Sequence, residues 1–261
     1  MSTLTPKQAE IQSREARILE LARPMVAQEG LAGLSMDAIA KEMAYAKGTI
    51  YNHFSCKEEI LLALAIKANE KRLRLFEVAI ERQPNARQKI AAIGVACEDF
   101  RVRFGDLFDI DCMVRHVAVW EKASDQRKQM MATCEQRCMA MVSQVGREAL
   151  ESGDLVLPRE RGIEDVVFGL WSLTYGGMII DATSPGLDQI GIRDTYAAIR
   201  RNCHALMDGY QWQPLYDAQA DRKLVRNVRA SLKRNVTLAL DAQPIDESVT
   251  TPSKRPAGGS Q

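Results

Sequence analysis

The sequence predicts an all-α protein in which a small N-terminal unit of short helices is joined to a larger C-terminal helical unit. Three observations carry this expectation. From Ser13 to the neighbourhood of Pro244, apolar residues recur at helical spacing. No run alternates apolar and polar residues as a half-buried strand would. Three short or medium helices at the start then give way to much longer ones, which sets a boundary inside or just after the helix expected at 56–81.

Taken in order, the periodicity places helices at 13–28, 36–43, 46–54, 56–81, 86–104, 107–121, 125–152, 163–182, 192–212 and 217–240. Breakers separate them: Gly30 and Gly33, Pro84-Asn85, Gly105, Gly153 with Pro158, Pro185-Gly186, and Pro214. Residues 12–72 and 84–240 are expected as two domains. Residues 241–261, too poor in apolar groups to offset the entropy of ordering, are expected as a flexible tail.

Of the 261 residues, 46% are hydrophobic, enough to bury a sizeable core, and 35 Lys plus Arg balance 34 Asp plus Glu. Contact with a polyanion must therefore come from local placement of charge and not from a basic bulk. No stretch of about 18 apolar residues occurs and Met1 to Glu10 lack an apolar leader core, so a cytoplasmic chain with no membrane partner is expected. The six cysteines, at 56, 97, 112, 134, 138 and 203, lack the paired spacing of a zinc site and read as reduced thiols. With no His-carboxylate-nucleophile spacing and no phosphate-binding glycine loop, no catalytic residue, metal or cofactor is expected.

The first three helices carry the most legible pattern. Ile18, Leu21, Ala22, Met25 and Val26 give the first an apolar face, and Glu29-Gly30 stops it. Ser35 stands where its hydroxyl can accept from the open N-H groups of the second helix, and Asp37 complements that helix's positive end. Ile39, Ala40 and Met43 form its buried side. After a turn at Ala44-Tyr45, nine residues from Ala46 to Phe54 make a helix of roughly 13 Å, short enough to lie in a major groove about 12 Å wide. At 100° per residue, Ala46, Ile50 and Phe54 point inward. Gly48 and Asn52 point outward, with Thr49 and Tyr51 on the flanks.

A glycine there costs about 1 kcal/mol against alanine, which makes sense if a partner's surface must approach the backbone. Thr49 and Asn52 can bond base edges and Tyr51 a phosphate. The next helix opens with Ser55-Cys56-Lys57-Glu58, a capping-box pattern. Lys57 opposes the helix dipole, a penalty removed if a phosphate bridges its ammonium and the helix end.

The stretch Ile39-Ala40-Lys41-Glu42-Met43, followed by Ala46 through Leu61, resembles the signature of the tetracycline-repressor (TetR) family over about residues 12–72. That resemblance implies a helix-turn-helix at about 35–54 in a homodimer that reads an inverted repeat of double-stranded operator DNA. It further implies that Ser35, Lys47, Gly48, Thr49, Tyr51, Asn52, His53 and Lys57 fall where the family touches DNA. It also implies a C-terminal helical domain with a ligand pocket among its central helices and a dimer interface on its last two long helices. Three departures stand out. Ala44 replaces a frequent turn glycine, Ala46 replaces a frequent capping serine, and Pro24 interrupts the first helix, where it should kink the helix or remove a hydrogen bond.

In the larger domain, Phe100, Phe104, Phe108, Met113, His116 and Trp120 are spaced to line one cavity for a small apolar or amphipathic effector. Trp171, Tyr175, Gly176 and Gly177, with Tyr196, Ile199, Cys203 and Leu206 on the next helix, form a candidate dimer bundle. An alternative is a thiol or soft-metal sensor built on Cys134 and Cys138 in their Met-rich run with Cys112 and His116. An enzyme or carrier that kept a degenerate helix-turn-helix is the third reading. In the helix at 217–240, Leu224, Val225, Val228, Leu232 and Val236 form a stripe, expected to fold against the domain and leave a solvated basic face.

Overall fold

A computed structural model describes residues 5–240, with side chains described through residue 235. The tail expected from 241 and the side chain of Val236 lie outside the described residues. Eleven α-helices are found among the described residues, and no strand. They are α1 (Pro6–Gly33), α2 (Met36–Glu42), α3 (Lys47–His53), α4 (Lys57–Ile80), α5 (Ala86–Arg103), α6 (Gly105–Met113), α7 (Val117–Lys122), α8 (Asp125–Ser152), α9 (Ile163–Thr183), α10 (Thr195–Gly209) and α11 (Ala218–Leu240). A single 3-10 turn, Leu187–Ile190, precedes α10.

Where the observed helices differ from the expected ones, the causes are local. α1 starts seven residues before 13, the first residue expected, because Thr5 and Gln8 form a capping box and Arg14 pairs with Glu10. That polar first stretch has no apolar stripe for periodicity to find. Helical geometry continues through Pro24 and fails at Gly30, whose φ of 66° turns the chain before Gly33. The helix expected at 107–121 is two helices. Val114 closes α6, and His116 Nδ1 accepts the Ala118 N-H at 3.4 Å to start α7.

α4 is the spine. Its apolar residues from Ile60 to Ala79 are buried, except the half-buried Val78, and it packs against α1, α5, α6, α7, α8 and α11. At its start, the head of α1, α2 and α3 closes over Ile18, Ala22, Val26, Leu34, Ile39, Ile50 and Phe54. Along the rest of α4 stand α5, α6 and α8, with α9 and α10 paired beyond them. That pairing is close: a Cβ on Gly169 would meet Leu206 at 2.9 Å, and one on Gly177 would meet Ile199 at 2.6 Å. α11 lays Leu224, Val225, Val228 and Leu232 on α4 and α5. Its Arg222, Lys223, Arg226, Lys233 and Arg234 face solvent.

Among the described residues, α9 is the one helix long and apolar enough to cross a membrane, although no such segment was expected. Several of its apolar side chains face outward. The others pack against α8 and α10.

Candidate nucleic-acid interface and ligand cavity

Ile50 and Phe54 anchor α3 in the head core, both fully buried, and this rotation leaves Gly48, Tyr51 and Asn52 exposed and Thr49 half-buried. Nothing lies within 4 Å of the position a Gly48 Cβ would take, so the outer face is open to the backbone. α2 ends in a Schellman turn: Tyr45 N donates to Ala40 O at 2.9 Å and Ala44 N to Lys41 O at 3.1 Å. The residue that must then be left-handed is Ala44, at φ 54°. Ala46 caps α3 without a side-chain bond and is exposed, although its spacing pointed inward, because it stands before the first helical turn.

Ser35 caps α2 through Oγ, which accepts the Ala38 N-H at 3.2 Å. The Lys47 ammonium lies 2.7 Å from Asp37 and 5.8 Å from the Tyr51 ring centre. Its hydrogen bond to Asp37, then that carboxylate's charge, raises its pKa above the usual lysine value. Lys57 is the first residue of α4, with its ammonium 3.5 Å from the Ala32 carbonyl. His53 leaves the outer face: its side chain is 9% exposed and turned to Glu15 of α1, with 3.7 Å between Nδ1 and Oε1.

The capping box expected at the start of α4 does not form. Cys56 is the cap residue and gives no side-chain capping bond, its Sγ donating instead to the Lys122 carbonyl at 3.5 Å, and Glu58 is drawn off to the Lys122 ammonium at 2.9 Å. Glu59 accepts from Ser124 N at 2.6 Å and from Arg127 Nε at 3.3 Å. Burial works against its charge, yet these donors hold the Glu59 carboxyl below the usual glutamate range. Arg127 also lies over the Phe54 ring at 5.2 Å. The junction of α7 and α8 thus grips the end of α3 and the start of α4. A second tie joins Arg23 of α1 to Asp106 of α6, with Nη2 donating at 2.8 Å, and lowers the Asp106 pKa.

Within the body, α4, α5, α6, α8, α9 and α10 enclose a cavity of about 140 Å³. Phe100, Phe108, Trp171, Tyr175, Tyr196 and Met178 supply much of its apolar wall, and Gly94 leaves space where a Cβ would stand. Arg72, Glu98, Arg200 and His204 supply its charged and polar side chains, with Cys97, Cys138 and Cys203 between them.

Residues 18–64 match the model of the tetR family of bacterial regulatory proteins. The chain carries the TetR-family N-terminal domain. The helix-turn-helix transcriptional regulator UidR of Escherichia coli K12 is 38% identical over 74 residues, 28% of this chain and 38% of that protein. The match thus spans about two fifths of that curated relative's length. Two solved structures share the fold over three quarters of the chain. A bacterial regulatory protein of the tetR family from Rhodococcus RHA1 is 16% identical, with 75% of this chain and 96% of that one covered and a TM-score of 0.56. A protein from Saccharomonospora viridis described as a transcriptional regulator and solved with choline is 17% identical, with 76% and 96% covered and a TM-score of 0.55. The all-α expectation of an N-terminal helix-turn-helix and a larger C-terminal helical domain agrees with this TetR-type architecture.

The head leaves Lys47, Gly48, Tyr51 and Asn52 of α3 exposed with Thr49 half-buried, sets Lys57 at the start of α4 beside the Ala32 carbonyl, caps α2 with Ser35, and turns His53 inward. The expected cavity residues fare unevenly. Phe100 and Phe108 line the cavity; Phe104, Met113, His116 and Trp120 do not. Phe104 ends α5 under the Lys71 ammonium, at 4.4 Å from its ring centre. Met113 is the last residue of α6, His116 and Trp120 follow the break before α7, none of the three is on the wall, and His116 is exposed. The expected dimer set is also redistributed: Tyr175, Tyr196, Ile199 and Cys203 line the cavity, and Gly177 accommodates Ile199 of the same chain. Gly94 was missed, although a glycine inside a helical run is the signal that could have found it.

Proposed function

We propose that this protein is a ligand-responsive transcriptional regulator, a repressor that binds an inverted-repeat operator as a homodimer. The observation that supports the reading best is the outer face of α3, a strip of Gly48, Tyr51 and Asn52 with Thr49 at its edge and Lys47 at its start, followed in the chain by Lys57 at the first position of α4. Small hydrogen-bonding groups suit base edges, and the two ammonium groups suit the phosphates on either side. In this reading residues 12–72 form the DNA-binding domain and 84–240 the ligand-binding and dimerisation domain. Phe168, Leu173 and Ile180, exposed on α9, supply the apolar surface for a second copy.

A ligand releases the operator only if it favours a dimer whose reading helices leave the spacing of about 34 Å that one turn of DNA demands. Both ties between body and head are carried by helices that also line the cavity, α6 and α8. Phe108 of its wall is two residues from Asp106, and α8, which lends it Cys138, starts at the Glu59 contact. The choline bound to the Saccharomonospora protein supports a small-molecule role for the same region.

DNA selected from a random pool should yield an inverted repeat. Tyr51→Ala and Lys57→Ala should weaken binding to all sequences, with Lys57→Ala lowering the salt slope by about 1, whereas Asn52→Ala should relax one base pair by about 1 to 3 kcal/mol. Unchanged slope and specificity in all three variants refute the reading.

The second reading is a thiol or soft-metal sensor built on Cys134 and Cys138 with Cys112 and His116, to which the cavity adds Cys97 and Cys203. Against it, burial pushes Cys97 and Cys134 up to about 12, and Cys134 and Cys138 donate to the carbonyls of Ile66 and Asn69. Metal content and operator affinity after oxidation separate the two: loss of affinity on oxidation would favour the sensor.

A further inference from the structure

We infer that the cavity takes an amphipathic anion, a small acid with an apolar or aromatic body, and that Arg200 receives its carboxylate. The inference deepens the ligand-responsive reading and rests on it only for the consequence at DNA.

The charge at the polar end is unevenly shared. Glu98 of α5 accepts from Arg200 of α10 through one oxygen and from Arg229 of α11 through the other, so two guanidinium groups divide one carboxylate. Arg229 is half-exposed and reaches Glu98 from outside, whereas Arg200 and Glu98 both line the cavity. Arg200 spends only Nη1 on Glu98; among the described residues its Nε and Nη2 have no partner. One free guanidinium edge, 17% exposed, is thus held at the wall of an apolar space.

His204 stands one helical turn further along α10, also lines the cavity and is nine-tenths buried. Its Nε2 meets Asp221 at 3.0 Å, and its Nδ1 is buried with no hydrogen-bond partner. A buried polar atom without a partner costs about 1 to 3 kcal/mol, and a ligand hydroxyl or amide N-H placed beside the carboxylate, donating to Nδ1, would remove that penalty.

A cation would fit worse. Among the described residues Glu98 is the one carboxylate in the wall, and an incoming ammonium would have to displace an arginine from it. A carboxylate instead adds to donors already in place, in bidentate geometry on the free edge, while Arg229 continues to neutralise Glu98. The body of the ligand would then lie among Phe100, Phe108, Trp171 and Tyr175, in the space left open by Gly94.

The probes are 4-phenylbutyrate, its neutral amide and 4-phenylbutylamine, titrated calorimetrically into the full chain without DNA. The acid should bind at least ten-fold more tightly than the amide, and the amine weakest. Arg200→Gln should erase the preference for acid over amide, Arg229→Gln should keep it, and Gly94→Leu, which fills the space, should abolish binding of both. Equal binding of acid and amide, preference for the amine, or persistence of the preference in Arg200→Gln overturns the inference. Should Arg200→Gln fail to fold, the ranking of the three probes on the unaltered chain decides alone. Operator binding by the ligand-free protein is measured separately. A chain that prefers the acid yet selects no operator would sink the regulator reading and leave this one standing, and the converse result would sink only this one.

Discussion

Ala44 and Ala46 bracket the turn that aims α3, and both are poor choices for their backbone positions. Ala44 holds φ 54°, a left-handed conformation that strains an L residue by about 1 to 2 kcal/mol, and Ala46 leaves the first N-H groups of α3 without a side-chain acceptor. Ala44→Gly should therefore stabilise the protein by up to about 1 kcal/mol, and Ala46→Ser by a similar amount, read as a rise in the urea midpoint at constant m. A fall in both midpoints would show that the turn adopts another geometry. Neither change touches the outer face of α3, so operator affinity should move little. Both positions stand out in the sequence because the turn around them follows rules one to four residues long. The inward turn of His53 was less legible, for it depends on Glu15, far away in the chain.

At the scale of elements, the start of α4 is governed by tertiary partners more than by its own sequence. Ser55 and Glu58 have the right spacing for a capping box, but the α7–α8 junction offers Lys122, Ser124 and Arg127, and both glutamates go there. The cavity wall was hidden for a different reason, since the break at His116 comes from a local cap that helical periodicity does not register. Helices with a continuous apolar stripe, such as α11, were read closely; polar stretches and breaks were not.

The Glu59 contact has a measurable signature in pH. Its carboxyl titrates lower when folded than its ordinary value of 4.5, so its contribution is complete above that value and disappears as the pH falls through the lower folded one. Glu59→Gln should cost about 1 to 3 kcal/mol at pH 7 and progressively less as the pH falls below 4.5, flattening the acid limb of stability against pH in urea titrations. An unchanged limb would mean that the junction holds α4 by other contacts.

For the molecule as a whole, the outer side of α9 is the surface that most needs a partner. Phe168 is 62% exposed and Ile180 52%, on a helix whose other side is closed by α8 and α10. Replacing both with Lys should give a folded monomer in sedimentation equilibrium whose affinity for a full inverted repeat falls to that for a half-site. A dimer that survives the double substitution would place the subunit contact elsewhere. The pairing of α9 with α10 was legible as a cluster of small and aromatic residues, but not which side faced inward. Gly169 and Gly177 serve contacts inside the subunit as readily as contacts between subunits, and the sequence does not distinguish them.

The position of α11 also bears on how the chain is made. α4 is covered in part by α11, and about 140 residues must be synthesised between the two, on the order of 10 to 30 s at ordinary translation rates. The head can shut its small core on the ribosome almost as soon as α4 emerges. The apolar flank of α4 and α5 must wait, bare, for Leu224 to Leu232 to arrive. Chaperones that shield nascent hydrophobic surface should accordingly be found on ribosomes that have completed α5 and not yet released α11.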